Sequence, residues 1–320
     1  MDIVGVKNPL QANMKAKRKH QHSITPATVW LIAIVTLLLV TACQVPAEPL
    51  ATEQPPSIAP VCNEESCVEI TPQQPGEGSQ QKVCDVEHGT IEDKTLTYGE
   101  SNLAMEVSVY LPPCYDADAV YPVIYLLHGQ NFSQQHWIQL GITELADRAI
   151  SAGESDPFIL VFPREKNNLR NPTTSDFPNA ITKSLVPWVD ENYHTCAARN
   201  CRIIAGISRG AGWAVHIGLT HPNLFGAIGA HSLVPFESDA NNYPKWLDGL
   251  PDASIPRIYV DIGDQDRYRH MTIKFEQLLF QKNIPHEWHL NSGGHNMEFW
   301  TEHVEDYLSW YTQVLAEMNS

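Results

Sequence analysis

Positive charge is scarce in this 320-residue chain. Its 21 lysines and arginines face 37 aspartates and glutamates, a formal charge of −16. A surface of that sign repels a phosphate backbone, which excludes nucleic acid as a partner. Long apolar runs are missing too: the stretch Val29 to Val40 spans 12 residues, short of the roughly 20 that cross a bilayer comfortably. No CxxC motif occurs, so no metal site is expected. No internal repeat is visible that would point to stacked-repeat architectures. What is present, 43% hydrophobic and 18% charged residues, suits one sizeable domain with a real core, plus tails.

One such tail opens the chain. Lys7, Lys15, Lys17, Arg18 and Lys19 precede the apolar run, the basic-then-apolar order of an export signal. The run ends in Val40-Thr41-Ala42-Cys43, which resembles the bacterial lipobox, where cleavage before a cysteine frees it to carry a thioether-linked lipid. Residues 1–42 are therefore expected to be a lipoprotein signal peptide and Cys43 the lipidated mature N-terminus. The protein would then be exported and anchored to a cell membrane on its extracytoplasmic side; an uncleaved signal anchor would export it equally. Without those residues the chain keeps 16 basic and 36 acidic side chains, a formal charge of −20. Residues 43–82, rich in Pro, Gln, Glu and Ser, read as a flexible tether, and 83–320 as the folded domain. Six cysteines remain after Cys43, an even number outside the cytoplasm, so disulfides are expected. Nearest neighbours are favoured: Cys62 with Cys67, Cys196 with Cys201 around a short loop, and Cys84 with Cys114 across a hairpin turning at Gly99.

Within the domain the hydrophobic pattern alternates. Two amphipathic strand candidates, Gly89 to Tyr98 and Met105 to Leu111, predict an antiparallel edge hairpin. The nearly continuous apolar run Pro122 to Leu127 predicts a strand buried on both faces. A helix over Ile142 to Ala152, a strand over Phe158 to Phe162, a helix over Asn179 to Asn192 and a strand over Arg202 to Ile207 follow. The rest runs Ala211 to Thr220 (helix), Ala227 to His231 and Arg257 to Ile262 (strands), Met271 to Lys282 (helix), His286 to Leu290 (strand) and Glu298 to Glu317 (helix). This alternation predicts an α/β fold, a mostly parallel central sheet with helices on both faces.

Gly206-Ile207-Ser208-Arg209-Gly210 falls at a strand-to-helix joint. In a nucleophile elbow the serine occupies a strained turn, and its neighbours two positions away must be small; glycines meet that need. A serine hydroxyl is a poor nucleophile near neutral pH and needs a general base oriented by an acid, in the chain order Ser, acid, His for this arrangement. Of the C-terminal histidines, only His295 lies in a loop just after a strand, within Ser292-Gly293-Gly294-His295. His286 and His289 fall in a strand pattern and His303 in a helix. The acid should follow the preceding strand, where Asp264 and Asp266 both stand; the Gly263-to-Asp266 spacing favours Asp266 and leaves Asp264 as a turn or capping residue. Asp261 lies within the strand pattern and is the weakest candidate. Developing negative charge needs two backbone N–H donors, expected from Arg209 and from the loop Leu127-His128-Gly129-Gln130, with Gln130 favoured over Asn131. His128 reads as structural rather than catalytic.

With these pieces assembled, residues 95 to 315 resemble the "Putative esterase" family of α/β-hydrolases, which includes S-formylglutathione hydrolases, feruloyl and acetyl-xylan esterases, enterochelin-type esterases and antigen 85 mycolyltransferases. The marks are Tyr121 to Gly129 followed by Trp137, Gly206 to Gly212, and Gly293-Gly294-His295 with Trp300. The resemblance implies the α/β-hydrolase fold, Ser208 as nucleophile, Asp266 as acid, His295 as base, Gln130 and Arg209 as oxyanion donors, and no cofactor. It implies an ester substrate, such as an acylated polysaccharide or siderophore. Acyl transfer to a sugar or lipid hydroxyl is the alternative, and a non-catalytic surface binding module a more distant one. The family commonly has a small residue or Met after the nucleophile; Arg209 departs from that and leaves the local charge open. Lys166 and Arg170 in the loop Arg164 to Asp176 could contact acidic or polyol groups, though a solvated loop is the plainer reading. Trp137, Trp213 and Trp300 could line a cleft but are expected in the core.

Overall fold

A computed structural model describes residues 86–99, 103–166 and 169–319. Residues 1–74 lie wholly outside the described residues, and with them the expected signal peptide, the expected lipidation site Cys43 and the expected pair of Cys62 with Cys67. The whole expected tether, residues 43–82, and Cys84 fall outside as well.

Eight strands form one sheet: β1 (Thr90–Tyr98), β2 (Leu103–Leu111), β3 (Val123–Leu127), β4 (Ile159–Pro163), β5 (Arg202–Ile207), β6 (Ala227–His231), β7 (Arg257–Gly263) and β8 (His286–Asn291), in spatial order β1-β2-β4-β3-β5-β6-β7-β8. The hairpin β1–β2 and the pair β2–β4 are antiparallel, and the remaining pairings are parallel. The expected antiparallel hairpin on a mostly parallel sheet is therefore present. Strands β3, β4 and β5 are buried along their whole length because helices cover both faces, and their sequences are accordingly apolar without alternation.

The helices are α1 (His136–Gln139), α2 (Ile142–Ser151), α3 (Phe177–Asn179), α4 (Val186–Asn192), α5 (Arg209–Thr220), α6 (Glu237–Ala240), α7 (Tyr243–Asp248), α8 (Arg269–Gln281) and α9 (Met297–Asn319). Side chains of β3 alternate between two cores. Val123, Tyr125 and Leu127 pack with Trp213 of α5 and Phe275 of α8, whereas Ile124 and Leu126 pack with Ile142 of α2 and Tyr307 and Tyr311 of α9. That is the period of two expected of a strand, displayed to two apolar layers.

Where one helix was expected over residues 179–192, a π-helical turn, Ala180–Leu185, separates α3 from α4. Pro187 has no N–H to return to the carbonyl four residues back, so the regular ladder cannot run through it. The short helices α1, α6 and α7 have no counterpart in the sequence reading, since four to six residues show too little of a 3.6-residue period. The expected disulfide between Cys196 and Cys201 is formed, with Cα atoms 5.7 Å apart. Cys114 is also disulfide-bonded, while its expected partner Cys84 lies outside the described residues.

Candidate active site

The sheet winds in opposite directions from β3, with β4 on one side and β5 on the other. In open α/β sheets ligands gather beyond the carboxyl ends of the strands at such a reversal. Leu127 at the end of β3 is paired with Gly206 of β5. The loop 128–130 and the turn at Ser208 therefore emerge side by side at that crevice.

Ser208 has φ 58° and ψ −115°, a conformation that costs a non-glycine residue of order 1–3 kcal/mol. A Cβ on Gly206 would lie 2.2 Å from the Gly210 carbonyl carbon, and one on Gly210 would lie 2.3 Å from the Leu127 oxygen. The turn thus demands glycine at both places. The Ser208 N–H donates to the His231 carbonyl at 2.8 Å, tying the strained residue to β6. Helix α5 begins at Arg209, two residues earlier than expected, because glycines 210 and 212 masked its start as weak helix formers. Its first amides have no intrahelical acceptor and sit at the positive end of the helix dipole.

The structure brings the predicted triad residues together. His295 Nε2 lies 2.8 Å from Ser208 Oγ, and His295 Nδ1 lies 2.6 Å from Asp266 Oδ2. Asp266 is buried, and its Oδ1 accepts the Tyr268 N–H at 2.7 Å. With the ring proton on Nδ1, toward the carboxylate, the ring presents the Nε2 lone pair to the hydroxyl, the arrangement a general base needs. The ring is held edge-on by Tyr268 and Trp300, with centroids 4.9 and 5.2 Å away. Asp264 does something else. Its Oδ1 accepts the Gly293 N–H at 3.0 Å, while its own N–H donates to Asn291 O at 2.7 Å, so it braces the histidine loop by the backbone. Asp261 is buried on β7 and bonds His231 at 2.8 Å.

Three further C-terminal histidines have local partners. His286 Nδ1 lies 2.8 Å from Ile284 O, His289 stacks on Tyr259, and His303 packs on Phe299.

Two further imidazoles flank the loop after β3. His128 Nδ1 donates to Gly129 O at 2.7 Å and its Nε2 accepts the Glu165 N–H at 2.9 Å. Burial lowers its pKa. This bonding fits the structural part expected of His128. His136, which the sequence reading did not single out, accepts the Gly129 N–H at 3.2 Å, and burial pushes its pKa down to about 3.

Arg209 brings no net charge to the site. Its guanidinium forks onto Glu165, Nε to Oε2 at 2.8 Å and Nη2 to Oε1 at 2.6 Å. Nη2 also donates to the Arg170 carbonyl, and the planar group lies over the rings of Trp213 and Phe236 at 5.4 and 5.1 Å. Glu165 was missed from sequence because an acid amid loop cations looks like solvated surface. Lys166, which had been considered for substrate contact, lies 3.1 Å from Glu106, and Arg164 pairs with the same carboxylate. Trp137, Trp213 and Trp300 are all buried core residues. A cavity of about 1000 Å³ opens beside Pro122, Pro157 and Leu308, at the amino ends of β3 and β4, and no triad residue lines it.

An elbow of this kind, facing a His–Asp pair across the carboxyl edge of such a sheet, agrees with a family match over residues 100–319 to "Putative esterase". The chain belongs to this esterase family. Among curated proteins it is similar to an endo-1,4-beta-xylanase/feruloyl esterase of Xylanibacter ruminicola, 28% identical over 194 residues, 57% of this chain and 26% of that protein. The chain therefore spans about a quarter of that relative's length. It is also similar to the protein YjcH of Bacillus subtilis, 28% identical over 233 residues, 67% of this chain and 93% of the relative. Among solved structures, a ferulic acid esterase aligns with a TM-score of 0.63 at 24% identity, covering 71% of this chain and 99% of that one. Structural neighbours of this kind place the fold among the α/β-hydrolases.

Proposed function

We propose that this member of the esterase family is a serine carboxylic-ester hydrolase that works through an acyl-enzyme on Ser208. The observation that carries the reading is the continuous chain of contacts from Ser208 Oγ through His295 to the buried Asp266 carboxylate, 2.8 and 2.6 Å long. His295 takes the hydroxyl proton as Ser208 attacks the ester carbonyl. Asp266 stabilises the imidazolium, and the tetrahedral oxyanion rests on the Gln130 and Arg209 amides. His295 then protonates the departing alcohol, and water attacks the acyl-enzyme by the same route in reverse. No cofactor is required for these steps.

The relatives' names favour a feruloyl or similar acyl group on a polysaccharide as the ester. Export and anchoring through Cys43, with residues 43–82 as tether and 83–320 as the catalytic domain, complete the reading. The Cys196–Cys201 disulfide supports an oxidising compartment.

Hydrolysis of p-nitrophenyl acetate, p-nitrophenyl butyrate and a feruloyl ester tests this, with and without an added alcohol to reveal acyl transfer. Ser208→Ala and His295→Ala should lose about 10⁴-fold or more of kcat, and Asp266→Asn about 10⁴-fold, with Asp264→Asn retaining most activity. A folded wild type that cleaves no ester and resists a fluorophosphonate would refute the proposal.

A further inference from the structure

The two amides assigned to the oxyanion belong to peptides whose positions trace back to one residue. The Gly129 carbonyl and the Gln130 N–H are opposite ends of a single planar peptide, so fixing one fixes the other. His128 holds the carbonyl at 2.7 Å. Because a carbonyl only accepts, the ring proton is on Nδ1, which leaves Nε2 to accept the Glu165 N–H at 2.9 Å. The imidazole is thus neutral and saturated at both nitrogens, linking the Gln130 peptide to the Glu165 backbone. On its other side Glu165 grips Arg209 through the two-point fork at 2.8 and 2.6 Å. Both side chains are mostly shielded from water, 11% exposed for Arg209 and 5% for Glu165, a setting in which bidentate charge-assisted bonds are strong and directional. The Gly129 N–H, in the preceding peptide, is held by His136.

We infer that Glu165 is a positioning residue for the oxyanion hole: its backbone N–H, through His128, sets the Gln130 amide, and its carboxylate, through the Arg209 side chain, sets the Arg209 amide. The inference rests on the proposed esterase reading. Glu165 touches no reacting atom; it fixes the separation of two donors on different elements, one after β3 and one at the start of α5. A hole of this kind acts on the tetrahedral state far more than on bound substrate.

The decisive experiment compares wild type with Glu165→Ala, Glu165→Gln and His128→Gln, measuring kcat and KM for p-nitrophenyl acetate. Alongside, it measures affinity for an aryl trifluoromethyl ketone, which forms a tetrahedral oxyanion on the serine, and for the matching methyl ketone, which binds without doing so. Glu165→Ala, which cuts the Arg209 arm, and His128→Gln, which disturbs the Gln130 arm, should each lower kcat about 10- to 100-fold, with KM little changed; a His128→Gln protein with wild-type kcat overturns the Gln130 arm. Affinity for the trifluoromethyl ketone should fall by a similar factor and that for the methyl ketone should hold. Glu165→Gln, close in shape and able to keep one acceptor, should lose less and serves as the deciding variant if the alanine protein fails to fold. The inference is overturned if the Glu165 variants keep wild-type kcat, if their loss lies in KM alone, or if kcat falls while trifluoromethyl ketone affinity does not. Wild-type activity that vanishes in Ser208→Ala while the Glu165 variants behave normally refutes this inference and leaves the esterase reading standing. A wild type that neither turns over nor forms the adduct removes both.

Discussion

His136 should make the fold sensitive to acid, by an amount the structure sets. The ring is 1% exposed, stacked on Phe132 at 3.7 Å, with Nδ1 occupied by the Gly129 N–H. Burial, seconded by repulsion from His128, lowers its pKa from 6.5 to about 3. The folded state therefore keeps His136 neutral where the unfolded chain already binds a proton. Stability from this group is fully present above pH 6.5 and drains away as pH falls toward about 3. Each unit of that window is worth about 1.4 kcal/mol, so acidification to pH 4.5 should cost about 3 kcal/mol through His136 alone. His136→Asn can still accept the Gly129 N–H but cannot titrate. The variant loses ring packing at every pH; the diagnostic quantity is the change between pH values. Urea unfolding of both proteins at pH 7.0 and 4.5 gives it, because other titrating groups cancel in the comparison. Wild type should lose about 3 kcal/mol more than His136→Asn over that interval. Equal losses would show that the imidazole protonates freely in the folded protein, and the account of the loop as held by neutral histidines would fail.

Two other substitutions probe the site's foundations. Gly210→Ala would place a methyl 2.3 Å from the Leu127 oxygen and 2.7 Å from the His128 oxygen; it should cost at least about 1–3 kcal/mol in thermal unfolding and sharply reduce ester cleavage. Asp261→Asn disturbs bonds to His231 and Tyr307 at 2.8 Å each. It should lower stability by about 1–3 kcal/mol yet leave kcat within a few-fold of wild type, in contrast to Asp266→Asn.

Much of the architecture was legible because the central strands announce themselves. Runs such as Ile203-Ile204-Ala205 are apolar on both faces, and glycines 206 and 210 mark a turn that admits nothing larger. The signals weaken where tertiary contacts decide. Pro187 turned a single expected helix into two with a π-turn between them. The bracing of the loop after β3 by His128, His136 and Glu165 links positions up to 37 residues apart, and no local pattern records it. Arg209 illustrates the same limit from the other side. As a sequence feature it left the local charge open, and only the fork onto Glu165 shows the charge to be balanced.

Spacing along the chain separates the proposed catalytic acid from a second buried aspartate where residue chemistry alone does not. Asp266 with His295 at 2.6 Å has a near match in geometry, Asp261 with His231 at 2.8 Å. The difference lies in position along the strand. His231 and Asp261 are register partners inside β6 and β7, so their side chains stand perpendicular to the sheet. They lie under α9, where the Tyr311 hydroxyl reaches His231 Nε2 at 2.5 Å. That nitrogen is consumed and faces away from the crevice. Asp266 comes after β7 has ended at Gly263, and His295 after β8 has ended at Asn291, so both can lean over the carboxyl edge toward Ser208. A residue inside a strand can pack or brace a sheet, but only one beyond its end can meet Ser208 at the switch point. The second pair still serves the first, because the carbonyl of His231 takes the Ser208 N–H at 2.8 Å and holds the strained serine in place.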